Sequence, residues 1–389
     1  MSCASAADVA GAIAAAREEG LPLAVRSGGH DFAGRSSTEG VLIDVSPLDA
    51  VEVVDGGARI GAGALLGDVY DALEAHGVTL PAGCGTTVGI AGLTLGGGLG
   101  ILGRLHGLLS DSLRGAQVVL ADGRVVEADE DLLWALRGAG GGRFGVVTRL
   151  DFATIEAPAM TAFETFWDDA AALIAAWQDW APDAPDALAA SLLITAPPLS
   201  VKVFGAYAGP EDDLRELVAA LGEPQRAAFS PGSAREAKRF LAGLGGAGEE
   251  DDDGHAYLRS EYFAAPLPGD AIAELAGHLA APGGFHRELD FSPWAGAYTR
   301  TPADATAFAH RDARFLLKHA AVVAPAEDAG AAREWVDGAY AITHPHGTGG
   351  AYPNFPEDDV GPWAPAYHLG NRERLLGLRG RYDPDGVFS

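Results

Sequence analysis

The chain has 389 residues, 48% of them hydrophobic and 53 of them glycine, with a formal net charge of −27. That length holds two or three domains around a large core, and such an excess of acid argues against nucleic acid or an anionic membrane as partner. No apolar run approaches the roughly 18 residues of a membrane span, and Cys3 and Cys84 are too few for a disulfide framework.

The opening stretch, MSCASAADVAGAIAAAREEG, lacks a basic segment followed by an apolar one. It reads as a helix with a Ser5-x-x-Asp8 capping box rather than a signal peptide, which implies a cytoplasmic protein. A strand-like stretch over 21–25 then runs into Arg26-Ser27-Gly28-Gly29-His30-Asp31. Adjacent glycines permit positive φ and close approach, and successive N–H groups in such a turn form an anion-binding nest. With an imidazole at its edge, this nest suits a phosphate-bearing cofactor; the alternative is a glycine-rich turn with a surface histidine.

Strands over 51–54 and 58–61 flank Asp55-Gly56-Gly57, and strands over 118–120 and 124–127 flank Asp122-Gly123, both hairpin signals. Between them, a helix over 67–76 places Val69 or Tyr70 and Leu73 on one face and stops at Gly77. From Gly85 to Gly100 seven glycines alternate with Ile and Leu, a pattern of backbone packed closely beneath something flat. A flexible linker would be rich in Ser instead. Gly98-x-Gly100-x-x-Gly103 spells a dinucleotide fingerprint, but no strand precedes it and Asp122 lies in a hairpin turn, so that reading is set aside. A short helix over 130–137 leads into a strand over 144–148.

From about 157 to 324, strands such as 192–196 and 201–206 alternate with helices such as 212–221 and 270–279. The stretch 243–253 is glycine-rich and then acidic, as an exposed loop would be. His344-Pro345-His346 lacks a third ligand at metal spacing and reads as a turn. There is no internal repeat and no Ser/His/Asp hydrolase signature.

Taken in order, RSGGHDFAG, VLIDVSPL, PAGCGTTVGIAGLTLGGGLG, DLLWALRGAGGGRFGVVT and YPNF…NRERLLGLRGRYDPDGVF closely resemble the berberine-bridge-enzyme-like FAD-linked oxidases. That group belongs to the larger flavoprotein fold of vanillyl-alcohol oxidase and p-cresol methylhydroxylase (PCMH). The resemblance implies an α+β fold with a PCMH-type FAD-binding domain over 1–155. It also implies a second α+β substrate domain over 156–330, whose sheet covers the flavin, and a C-terminal segment over 331–389 that returns to the first domain. In the family a strand and a short segment precede the first helix, so this chain reads as shortened there, with its first small sheet lacking an edge strand.

The same resemblance assigns residues. His30 Nδ1 would be bonded to the flavin 8α-methyl group, within a cofactor loop made of Arg26, Ser27, Gly28, Gly29 and Asp31. Gly83, Val88, Gly89 and Gly92, then Gly97 and Gly98, then Gly145 and Val146, would line the cofactor. Many relatives carry a second link from a cysteine, but here Gly85 fills that slot and Cys84 falls one position early. Attachment therefore reads as single, through His30, with Cys84 a small buried filler. Val88, small at the reactive flavin edge, leans toward an oxidase that admits O2. Tyr352, with Asn354 in a Y-x-N motif, would take the substrate proton, and Asn371 would contact the flavin region. Leu369 stands where the family has glycine, and Leu99 where tyrosine is common.

The implied activity is an FAD-dependent oxidase taking hydride from a sugar, secondary alcohol or natural-product substrate and reducing O2 to H2O2. A dehydrogenase with another electron acceptor, and a flavin-binding protein impaired in catalysis, are the alternatives. The partners are a small-molecule substrate and O2.

Overall fold

The computed structural model describes residues 1–244, 254–324 and 329–388. Ser5 caps α1 (Ala6–Glu19): its hydroxyl accepts from Asp8 N–H at 3.2 Å, and the Asp8 carboxylate accepts from Ala4 N–H at 3.1 Å. Gly20, at φ 65°, ends the helix. β1 (Leu23–Arg26) and β2 (Val41–Asp44) pair in parallel, and residues 1–3 bond alongside β2 at Asp44. The small sheet thus gains a short stretch of edge from the residues that precede α1.

There follow β3 (Val51–Val54), β4 (Gly57–Gly61), α2 (Leu66–Glu74), β5 (Val78–Thr79), α3 (Ile90–Leu95), α4 (Gly103–His106), β6 (Leu113–Val119), β7 (Val125–Glu127), α5 (Glu130–Leu136), β8 (Val146–Ala153) and β9 (Ile155–Glu156). β3, β4, β8, β6 and β7 form an antiparallel sheet in that order, and β5 pairs with β9. Both expected hairpins are present. The expected helix over 67–76 is α2, with Val69, Tyr70 and Leu73 buried. β6 and β8 run longer than turn signals suggested, because alternate residues of each, Ala116 and Val118, Leu150 and Phe152, fall on the core side.

The chain then passes to a second sheet. Its elements are β10 (Ala159–Trp167), α6 (Ala170–Trp180), β11 (Leu188–Ala196), β12 (Ser200–Tyr207), α7 (Glu211–Ala219), β13 (Arg226–Ser233), α8 (Ala234–Ala242), β14 (His255–Phe263), α9 (Gly269–Ala280), β15 (His286–Pro293), α10 (Ala297–Arg300) and β16 (Phe315–Val323). Seven strands lie in the order β13-β10-β12-β11-β15-β16-β14, all antiparallel. The glycine-rich and acidic stretch lies, over 245–253, outside the described residues.

Three helices follow: α11 (Ala329–Thr343), α12 (Pro365–His368) and α13 (Arg372–Tyr382). One face of the seven-stranded sheet buries Leu192, Leu289, Phe291 and Leu317 against α6, α9 and α11. α13 returns to the first half, placing Leu375, Leu378 and Tyr382 in its core and Arg381 on Asp129 and Asp131 of the α5 turn. The halves are locked by Arg311, 1% exposed, which grips Asp111 at 2.7 and 2.9 Å. Arg104, equally buried, donates to the carbonyls of Ala181, Pro182, Ala184 and Leu188, each at 2.8 Å. The mixture of helices with antiparallel sheets is α+β. Among the described residues no helix is long and apolar enough to cross a membrane.

Leu369 is the only described non-glycine residue at positive φ, at φ 45° and ψ −127°, with 40% of its surface exposed. Such a conformation costs a side chain of order 1–3 kcal/mol, while glycine's extra unfolded-state freedom costs about 0.5–1 kcal/mol. Leu369→Gly should therefore raise stability by about 1 kcal/mol in chemical denaturation. A loss of stability would mean that the leucine side chain contributes packing its exposure hides.

Candidate functional site

A cavity of about 680 Å³ is lined by both halves of the chain. Its first wall is the turn after β1. Ser27 Oγ donates to Ala62 O at 2.7 Å, fixing the turn to the end of β4. Gly28 and Gly89 then meet backbone to backbone: a Cβ on either would lie 2.3 Å from the other's nitrogen. No other residue pair fits there. Gly29, at φ 78°, swings the chain so that His30 borders the cavity.

The His30 imidazole meets Thr87 Oγ1 through Nε2 at 2.9 Å and also bonds the Thr87 backbone. Desolvation lowers its pKa, partly opposed by Thr87, so the ring is neutral at pH 7 and Nδ1 can carry a lone pair. That is the form that can bond to an electrophilic carbon. The turn, the imidazole at its edge and the glycine backbone of 83–92 fit a phosphate-bearing flavin.

Tyr352, 1% exposed, lies across the cavity floor. Its oxygen accepts from Gly98 N–H at 3.0 Å, Leu99 N–H at 3.2 Å and Asn354 Nδ2 at 3.1 Å. Asn354 also donates to Leu93 O at 2.9 Å, which fixes its orientation. Phe355, Phe308 and Trp294 hold the ring edge-on at centroid distances of 5.0, 6.1 and 6.4 Å. Burial pushes the phenol pKa above its ordinary value, and the three donors pull against it without reversing the shift.

The opposite wall is the uncovered face of the seven-stranded sheet. β15 alternates Leu289 and Phe291 toward the helices with Glu288, Asp290 and Ser292 toward the cavity. Lys318 on β16 reaches between the two acids, 2.8 Å from Glu288 and 3.4 Å from Asp290. Desolvation alone would lower the Lys318 pKa, but Glu288 and Asp290 raise it overall. Burial pushes Asp290 up, against the pull of Lys318. Sequence reasoning missed this cluster. Its signal was the acid–apolar alternation of Glu288-Leu289-Asp290-Phe291, which marks a two-faced strand but not what the polar face meets.

Thirteen of the seventeen residues assigned from sequence border the cavity: Tyr352 and Asn354; Ser27 to Asp31; Gly83, Val88, Gly89 and Gly92; Gly145 and Val146. Four do not. Arg26 turns to Ser36 O at 3.1 Å and Ser37 Oγ at 2.8 Å, bracing the turn from behind. Gly97 and Gly98 press against Phe308, Tyr352 and Leu109, so their role is to let the backbone reach the phenol oxygen. Asn371 donates to Ala303 O and Thr306 O at 2.7 and 3.0 Å, holding that loop rather than facing the cavity. Cys84 is half-buried and borders the cavity beside Gly85, not a filler sealed in the core. His344-Pro345-His346 is a 3-10 turn, with His344 Nδ1 2.7 Å from buried Glu261.

Two family models match: an FAD binding domain over residues 1–129, and berberine and berberine like over residues 351–389. An uncharacterised FAD-linked oxidoreductase of Bacillus subtilis (strain 168) is 32% identical over 99% of this chain and 88% of its own length. Berberine bridge enzyme-like 5 of Arabidopsis thaliana is 27% identical over 97% of this chain and 80% of its own. Among solved structures, a chitooligosaccharide oxidase superposes with a TM-score of 0.90 at 25% identity, covering 100% of this chain and 89% of that one.

Gly97, at φ 118°, would place a Cβ 2.9 Å from the Phe308 ring and 3.5 Å from Tyr352. Gly97→Ala should cost about 1–3 kcal/mol of stability, through backbone strain and overpacking, and should lower the flavin content of purified protein. Unchanged stability and flavin content in denaturation and absorbance measurements would contradict the tight seat assigned to the phenol.

Proposed function

Because the chain belongs to the berberine-bridge-enzyme-like FAD-linked oxidoreductases, we propose that it is an oxidase of a sugar, secondary alcohol or natural product, with FAD bonded through His30 alone. When bound, FAD supplies the acceptor for a hydride from the substrate carbon and passes the electron pair to O2, giving H2O2. The name of the chitooligosaccharide oxidase neighbour supports an oxidised sugar among the candidate substrates.

The observation that carries the reading is the seat of Tyr352. Hydride loss from an alcohol carbon builds positive charge unless the hydroxyl proton leaves. A tyrosine that borders the cavity and whose oxygen accepts three N–H bonds is built to hold negative charge, which is what a proton acceptor needs. Burial nevertheless keeps its pKa above the ordinary value, so the phenolate is a minor species at neutral pH. Glu288, Asp290 and Lys318 offer polar partners to substrate hydroxyls on the facing wall. On this reading Val88, which is half-buried and borders the cavity, is the small residue that would admit O2 beside the flavin. His30 would bind through Nδ1, with Thr87 fixing the ring at Nε2.

A screen of sugars and alcohols under anaerobic conditions should find compounds that bleach the flavin, and O2 should restore its colour with release of H2O2. Tyr352→Phe, which keeps the ring, should remain yellow but lose flavin reduction by about 10² to 10⁴-fold. In the unaltered enzyme the reductive rate should climb with pH, without a plateau below about pH 10; the variant should lose that slope. A variant with normal reduction and an unchanged pH profile would remove Tyr352 from the chemistry.

A further inference from the structure

A second group of cations borders the same cavity. Arg35 and Arg143 both line it, and among the described residues neither is paired with a carboxylate. Arg35 commits Nη2 to Glu357 O at 3.3 Å and Val360 O at 2.8 Å and one further contact to the Tyr367 hydroxyl, which leaves part of its five-donor fork for a ligand. Arg143 is the more exceptional. Its Nε is buried without a hydrogen-bond partner, and its guanidinium stands 5.8 Å from the Trp363 ring, which Arg379 approaches at 5.4 Å.

Burial, with the like charge of Arg35 beside it, brings the Arg143 pKa down to about 10. Asp31 opposes this without forming an ion pair with Arg143; its Oδ1 accepts Ala33 and Arg35 N–H within its own turn, at 3.1 and 2.9 Å. The approach to Arg143 is a run of three glycines, Gly140, Gly141 and Gly142, all bordering the cavity, and a Cβ on Gly141 would meet nothing. Guanidiniums gathered without counter-ions at an open, glycine-lined wall are unusual in a chain of net charge −27.

FAD carries negative charge in one place only, its diphosphate, and planar guanidinium forks match phosphate oxygens in geometry and charge. We infer that Arg143, together with Arg35, grips the FAD diphosphate, a role that rests on the cofactor reading above. The anion nest of residues 27–30 leads directly into the turn that carries Arg35, so backbone donors and guanidiniums border one cavity.

The test uses flavin-free protein carrying His30→Ala, so that no covalent bond masks affinity. Titration with FAD and with riboflavin, followed by quenching of flavin fluorescence, compares this parent with added Arg143→Gln or Arg143→Lys. Arg143→Gln should weaken FAD binding by on the order of tenfold or more and riboflavin binding by less than about twofold, with Arg143→Lys in between. ADP should raise the thermal midpoint of the flavin-free parent and should not raise that of Arg143→Gln. Circular dichroism checks the fold of each variant, and Arg143→Lys carries the test if the glutamine variant does not fold. Equal losses for FAD and riboflavin, no loss for FAD, or a full ADP shift in the variant would overturn the inference. A parent that binds no FAD would instead remove the cofactor reading beneath it, whereas failure of the oxidase reading alone would leave these affinities untouched.

Discussion

The site depends first on the contact between Gly28 and Gly89, where two backbones touch with no room for a side chain on either. This contact docks the two-stranded unit of β1 and β2 onto the larger first half. A two-stranded sheet has little stability of its own. It stands here because α1 buries Val9, Ala12 and Ile13 in the common core and because Ser27 bonds to Ala62. The same contact sets His30 against Thr87 at the cavity edge. The chain just beyond Gly89 bonds back to the connection after β4, Ile90 N–H to Ala64 O at 3.0 Å, so cavity wall and structural core are one piece of backbone.

Against that wall stands a sheet whose two faces have different tasks. On β15 and β16, apolar residues at every second position secure the helices, and the intervening Glu288, Asp290 and Lys318 face the cavity. Burying three charges costs several kcal/mol each unless they satisfy one another, and removing one partner strands the rest. The Lys318 contacts keep the wall polar yet closed on itself. Tyr352 links the two sides from below: its main-chain N–H donates to Ser260 Oγ on β14 at 3.0 Å, while its hydroxyl oxygen is held by Gly98 and Leu99 of the first half.

Much of this was legible in the sequence, for identifiable reasons. Asp55-Gly56 and Asp122-Gly123 declare their hairpins because few other residues tolerate those turns. Gly28 and the run at 96–98 declare close approach, because an added Cβ there would lie within 2.9 Å of a neighbour, whereas Gly29 is called for by its positive φ. Period-two alternation revealed strands in the second half, yet could not say whether a polar face meets solvent or a cavity, so the Lys318 cluster went unseen. Side-chain direction was equally hidden. Arg26 and Arg35 lie nine positions apart around one turn, but only Arg35 borders the cavity. Asn371, read as a flavin contact, holds carbonyls of residues 303 and 306, a long-range pairing that no local pattern encodes. Leu369, noted as a departure from the family's glycine, occupies the backbone conformation glycine would favour.

The central claim is that this cavity holds FAD joined to the chain at His30 and nowhere else. Trypsin should release residues 27–35 as one peptide and Cys84 on another, because Arg26, Arg35, Arg59 and Arg104 mark the cleavage points. Mass spectrometry of acid-precipitated, digested protein measures the claim directly. The account predicts the flavin mass on the 27–35 peptide and an unmodified Cys84 that alkylates normally. Flavin recovered wholly in the supernatant, or found on the peptide that carries Cys84, would contradict it.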